Sequence, residues 1–144
     1  MARAYLGGSN AHVEKITASK TLYAKDSGKV FFLNPAALST ITLPSAVKYP
    51  GWEVTIIVHE DDGGTMDYKC NISCYSGEFF NGILVPSDGG GPSIANGTNQ
   101  DNVNITTSAT SGETFQIVSD GARMHCRGHI VDATDSLFAS TPLS

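Results

Sequence analysis

Basic charge is scarce in this sequence. Nine Lys and Arg stand against fourteen Asp and Glu, for a formal net charge of −5. Gripping nucleic-acid phosphates needs a basic surface, so no nucleic-acid partner is expected. No apolar run approaches the roughly 18 residues of a membrane-spanning helix, and no membrane partner is expected either. The opening stretch runs into Gly7-Gly8-Ser9-Asn10 and lacks the continuous apolar core of a secretory signal. The chain is therefore expected to stay in the cytosol of the producing cell, or to leave it as part of something larger. A sustained helical period is missing too; at most Asn34–Leu38 makes one turn.

Catalytic signatures are equally sparse. There is no Gly-x-Ser-x-Gly, no His-Glu-x-x-His and no phosphate-binding glycine loop, so no enzyme is expected. Glu60, Asp61, Asp62, Asp67 and Glu78 are the carboxylates from which a glycosidase pair would have to come, but acidic residues at strand ends are ordinarily turn residues. Asp61-Asp62-Gly63-Gly64 lacks the ligand spacing and closing Glu of a calcium loop, and reads as a solvated turn. Cysteine occurs three times. Cys70 and Cys74 lie about 13 Å apart along one strand at ~3.3 Å per residue, too far to bond to each other. With Cys126 they fall on apolar faces and are expected to be small buried thiols, because His125 points away from Cys126 and completes no metal site. No cofactor and no metal are expected. Asn71-Ile-Ser, Asn96-Gly-Thr and Asn104-Ile-Thr match glycosylation sequons, and in a chain that is not secreted they are strand and turn residues.

Fifteen glycines, six prolines and abundant Thr, Ser and Asn indicate short strands joined by turns. Strand patterns cover Lys20–Ala24, Lys29–Leu33, Thr40–Leu43, Glu53–Glu60, Tyr68–Tyr75 and Asn102–Ser108. In Glu53–Glu60, Val54, Ile56 and Val58 face one way while Thr55, Ile57 and His59 face the other. A last hairpin spans Glu113–Arg127. A two-residue Asp120-Gly121 turn pairs Ile117 with Met124, Phe115 with Cys126, Gln116 with His125 and Thr114 with Arg127. Its apolar face covers a core. Its polar face, with Arg123, His125, Arg127 and His129, is either solvated or paired with acids such as Glu53 or Glu113 in an oligomer.

This pattern predicts one all-β domain, an antiparallel β-sandwich of jelly-roll type over residues 20–131. Residues 1–19 read as an N-terminal arm and 132–144 as a polar tail, whose Leu137-Phe138 is a docking peg or part of a disordered end. The glycine-rich stretch Pro86–Thr98 reads as a mobile tip or a contact loop. In the arm, Tyr5, Leu6, Val13 and Ile16 have no assigned place in the sandwich and are expected to bind a partner.

The order of motifs carries a resemblance. Asp26–Leu33 turns into an apolar strand. Ile41-Thr42-Leu43-Pro44 and Pro50-Gly51-Trp52-Glu53-Val54-Thr55-Ile56-Ile57 follow, and the chain closes with Glu113-Thr114-Phe115, Val118-Ser119-Asp120-Gly121 and a final strand. Over about Tyr23–Gly128 this resembles the β-sandwich module of tailed-phage virion proteins, especially capsid decoration (cement) proteins and some tail-fibre segments. The last strand departs from the pattern, with Met124-His125-Cys126 where an aromatic usually follows the glycine. The resemblance implies a bacteriophage structural protein, assembled in the host cytoplasm. It would be a homotrimer on the outside of the capsid that binds the major capsid protein and stabilises the shell, with terminal arms reaching onto that shell. The alternative it implies is a tail-fibre or receptor-binding module for host surface carbohydrate, with Tyr49, Trp52, Tyr75, Phe79 and Phe80 as available aromatics.

Overall fold

A computed structural model of the chain describes residues 12–144. Twelve strands are described: β1 (Val13–Ile16), β2 (Lys20–Thr21), β3 (Val30–Leu33), β4 (Ser39–Thr42), β5 (Glu53–Val58), β6 (Cys70–Ser73), β7 (Phe80–Pro86), β8 (Ser93–Asn96), β9 (Asn102–Ile105), β10 (Thr114–Ser119), β11 (Met124–Ile130) and β12 (Ser136–Ala139). They form a seven-stranded sheet, β1-β3-β5-β10-β11-β7-β8, packed on a five-stranded sheet, β12-β9-β6-β4-β2. The molecule is an all-β sandwich. A short 3₁₀ turn at Ala24–Asp26 is the one helical element among the described residues.

Strand directions are mixed rather than wholly antiparallel. Through β6 the chain alternates between the two sheets, so β1, β3 and β5 run parallel in one and β2, β4 and β6 run parallel in the other. Parallel neighbours need a long crossover between them. Here each crossover is itself a strand of the opposite sheet, which makes a helix unnecessary. The second half is built mainly from antiparallel pairs, β7 with β8 and β10 with β11, while β7 runs parallel to β11.

Alternation sorts the side chains. Phe31, Leu33, Val54, Ile56, Val58, Phe115 and Ile117 point inward from one sheet and Ile41, Cys70, Ile72, Val103 and Ile105 from the other, all of them buried. Fully burying such side chains stabilises by about 1.5–3 kcal/mol each. Where β7 crosses β11 the backbones come so close that a Cβ on Gly82 would lie 2.0 Å from the Cys126 carbonyl oxygen. Only glycine fits there.

Several boundaries move from their expected places. The sandwich begins at Val13 rather than Lys20: β1 pairs with β3 from Val13↔Val30 to Ile16↔Leu33, and Ile16 is buried in the core. The Pro86–Thr98 stretch is not one long loop, because β8 folds back onto β7 around Ser87–Pro92. The tail is not a loose end either. β12 pairs with β9, and Phe138 packs against Phe80 with ring centroids 5.7 Å apart. The last hairpin has a four-residue connection, Asp120–Arg123, so Ile117 pairs with Cys126 and Phe115 with Gly128. Asp120 makes this loop, its Oδ1 accepting from the backbone N–H groups of Ala122 and Arg123, both at 2.7 Å. The register differs from the expected one by two residues, and an even shift leaves every side chain on its expected face.

Candidate functional site

Two surfaces stand out, one on the open face of the seven-stranded sheet and one at an end of the sandwich. On the open face, β10 and β11 present Gln116, Val118, His125, Arg127 and His129, and β7 and β8 add Ile83, Val85 and Ile94. Ile94 is 62% exposed, Val118 41%, Val85 40% and Ile83 37%. Two shallow hollows of about 300 and 380 Å³ lie side by side on this face, sharing Gln116 and Val118. One of its charges has a local partner. His125 Nε2 lies 2.6 Å from Asp120 Oδ2. The two backbone N–H donors and this imidazole hold the Asp120 carboxyl down at about 2. Glu53 is on this face opposite Val118. Glu113 is not; it is buried at the start of β10, between the sheets.

The Glu113 environment is unusual. Its Oε1 accepts from Val131 N at 3.0 Å and Thr110 N at 3.3 Å, while Oε2 has no hydrogen-bond partner. Burial, and then the neighbouring Asp135 carboxyl, push its pKa up to about 7. Glu113 sits just before β10, the central strand of the seven-stranded sheet, and Asp135 just before β12, an edge strand of the five-stranded sheet, so the pair links the two sheets.

The end surface gathers residues from three loops. Tyr23 follows β2, Val47, Lys48 and Tyr49 lie between β4 and β5, and Tyr75 follows β6; together with Lys25 and Pro44 they line an open groove of about 680 Å³. Tyr23, Val47, Tyr49 and Tyr75 are all exposed. Of the aromatics expected to be available, Tyr49 and Tyr75 are therefore in the groove. Trp52 and Phe80 are buried, and Phe79 is half-buried. Trp52 instead supports the groove from beneath, its Nε1 donating to the Tyr23 carbonyl at 3.0 Å. Tyr23, Lys25 and Lys48 join the site without a linear motif. The signal available was Pro44, which ends β4 and throws the following residues to this end.

Acidic residues collect at the opposite end. Asp62 Oδ1 caps the turn by accepting from Gly64 N at 2.9 Å, and Asp61 meets Lys15 at 2.9 Å. No group of three or more His, Cys, Asp or Glu side chains suited to a metal occurs among the described residues. Cys70, Cys74 and Cys126 are buried free thiols.

Of the expected arm residues, Tyr5 and Leu6 lie outside the described residues. Val13 and Ile16 belong to β1, Val13 with its side chain exposed and Ile16 in the core. Ile16 is thus a core residue and has no surface to offer a partner. The last segment is held by buried asparagines. Asn71 Oδ1 accepts from Leu143 N at 2.9 Å and its Nδ2 donates to Leu143 O at 3.3 Å, while Asn104 Nδ2 donates to Thr141 O at 2.9 Å. No helix among the described residues is long and apolar enough to cross a membrane. No family model matches the chain, and neither a curated protein nor a solved structure matches it significantly.

Proposed function

We propose that the chain is a structural component of a tailed-phage virion, a decoration protein that acts as a homotrimer, binds the outside of the major capsid shell and stabilises it. The observation that supports this reading most is the open face of the seven-stranded sheet. There Val118, Ile83, Val85 and Ile94 form an exposed apolar set beside two shallow hollows, a surface that association with a like copy or a shell subunit would cover. Three modest footprints on one rigid trimer give avidity, because the second and third contacts form at high effective concentration. The motif order from Asp26 to Gly121 supports the same reading.

Immunogold labelling of virions tests it. Label on heads is the expected result. Label on tails favours the alternative, a tail-fibre or receptor-binding module for host carbohydrate. Sedimentation of the isolated protein tests the trimer, and a monomer at tens of micromolar overturns it. Ile94→Lys should weaken the trimer if this face carries the contact, since it places a charge on an exposed edge-strand residue without touching the core.

A further inference from the structure

We propose that the groove formed by Tyr23, Tyr49 and Tyr75 is a binding site for an acidic saccharide, a pyranose chain bearing carboxylate groups. The inference does not depend on where in a particle the protein sits, and stands on the groove alone.

The first observation is charge. Lys25 and Lys48 line the groove and no Asp or Glu does, in a chain whose net charge is −5. Neither lysine is in an ion pair among the described residues. The acid closest in sequence to Tyr75 is Glu78, and it is already engaged. Its Oε1 accepts from Ser45 Oγ at 2.6 Å and its Oε2 from Ala46 N at 2.7 Å. The cations are thus left to face an anion from outside.

The second observation is the aromatic rim. Three exposed tyrosines offer flat apolar rings, each with a hydroxyl at its tip, which suits the C–H faces and hydroxyl edges of sugar rings. Their backbones are held in place. The Tyr23 carbonyl accepts from Trp52 Nε1 at 3.0 Å, the Tyr49 carbonyl from Trp52 N at 3.2 Å, and the Tyr75 carbonyl from Glu78 N at 2.9 Å. Rings carried on a fixed backbone lose less freedom when a ligand stacks on them. The groove's volume of about 680 Å³ is in the range of small-ligand sites. An acidic peptide fits less well. An extended peptide draws affinity from an open strand edge, and the edge beside this groove, β2, is two residues long.

The test is calorimetric titration of the full chain with hexagalacturonate, an α2-8-linked sialic acid hexamer, neutral maltohexaose and a hexaglutamate peptide. At least one acidic saccharide should bind with a Kd below about 1 mM, and maltohexaose at least about tenfold more weakly. Which acidic saccharide binds separates a uronate from a sialate ligand. The double variant K25Q/K48Q and the single variant Tyr75→Ala should each weaken that binding by about five- to tenfold. Tyr75 is exposed, so its truncation should leave the unfolding midpoint unchanged and report on binding alone. Absence of binding by both acidic saccharides at about 5 mM overturns the proposal. So does hexaglutamate binding as tightly as the saccharides, or binding that Tyr75→Ala and Tyr23→Ala leave intact.

Discussion

Asn71 and Asn104 stand directly opposite each other across the β6–β9 pair, and both hold the same C-terminal segment. Their side chains point away from the core, yet both are buried, because residues 140–144 lie across that side of the five-stranded sheet. The two sequons they head are therefore clasps for the chain's own tail, with both amide nitrogens already donating.

The clasp makes a prediction about coupling. Asn71→Ala leaves Leu143 N–H and C=O without their partner and should cost about 1–3 kcal/mol in urea unfolding. Asn104→Ala should cost less, since it makes one such bond. Both act through one segment, so the double variant should lose less than the sum of the two. Strict additivity would mean that the two amides act independently of the tail.

Gly82 should be intolerant of any side chain. Its Cβ would meet the Cys126 carbonyl carbon and oxygen at 2.9 and 2.0 Å, and backbone there cannot yield without breaking the β7–β11 ladder. Gly82→Ala should lower stability by about 2–3 kcal/mol. Gly91→Ala, where a Cβ meets nothing within 4 Å, should be close to neutral.

Between about pH 4.5 and 7 the Glu113 contribution to stability should fall as pH rises. Burial and Asp135 raise the Glu113 pKa from 4.5 to about 7, so the folded state holds this proton more tightly than the unfolded chain. The stabilisation is fully present below 4.5 and is lost as pH climbs through about 7. The slope from this one group is at most about 1.4 kcal/mol per pH unit. Glu113→Gln, which keeps the shape without the titration, should flatten the profile over that window in denaturant titrations.

The thiols should be silent in the folded protein. Burial pushes Cys70 and Cys126 up to about 12 and raises Cys74 as well, so little reactive thiolate forms near neutrality. Iodoacetamide should label none of them in native buffer and all three in denaturant without reductant. Fewer than three would reveal a bond that the buried free thiols do not make.

Removing the N-terminal region should show where the sandwich begins. Deletion of residues 1–19 takes away β1 and the buried Ile16, and should lower the thermal midpoint. Ile16→Ala alone should cost about 2–4 kcal/mol. An unchanged midpoint would return β1 to the status of an arm.

Much of this fold was legible in the sequence because period-two alternation is a local signal. The strands around Val54-Ile56-Val58, Cys70-Ile72 and Phe115-Ile117 and the faces they present follow from it, and even the misjudged hairpin register kept those faces. Other elements depend on distant partners. β1 is four residues that gain their place only beside β3, and β8 carries one apolar inward residue, Ala95. In β6 and β9 the alternation is legible, but it does not show that Asn71 and Asn104 face a tail rather than water. The end groove was half legible. Tyr49 and Tyr75 are among the aromatics recognised as available, but Trp52 is buried beneath the groove while Tyr23 lies exposed in it, and nothing short of tertiary packing distinguishes the two.

The winding of the first six strands from sheet to sheet has a consequence for how the molecule comes into being. No strand up to β6 is hydrogen-bonded to the one before it in the chain, so no local hairpin exists there to nucleate either layer. Each turn of the coil has to close a loop before its ladder can reward it, and both layers must grow together. Such a topology folds slowly, and a chain interrupted within this region would retain no self-sufficient half.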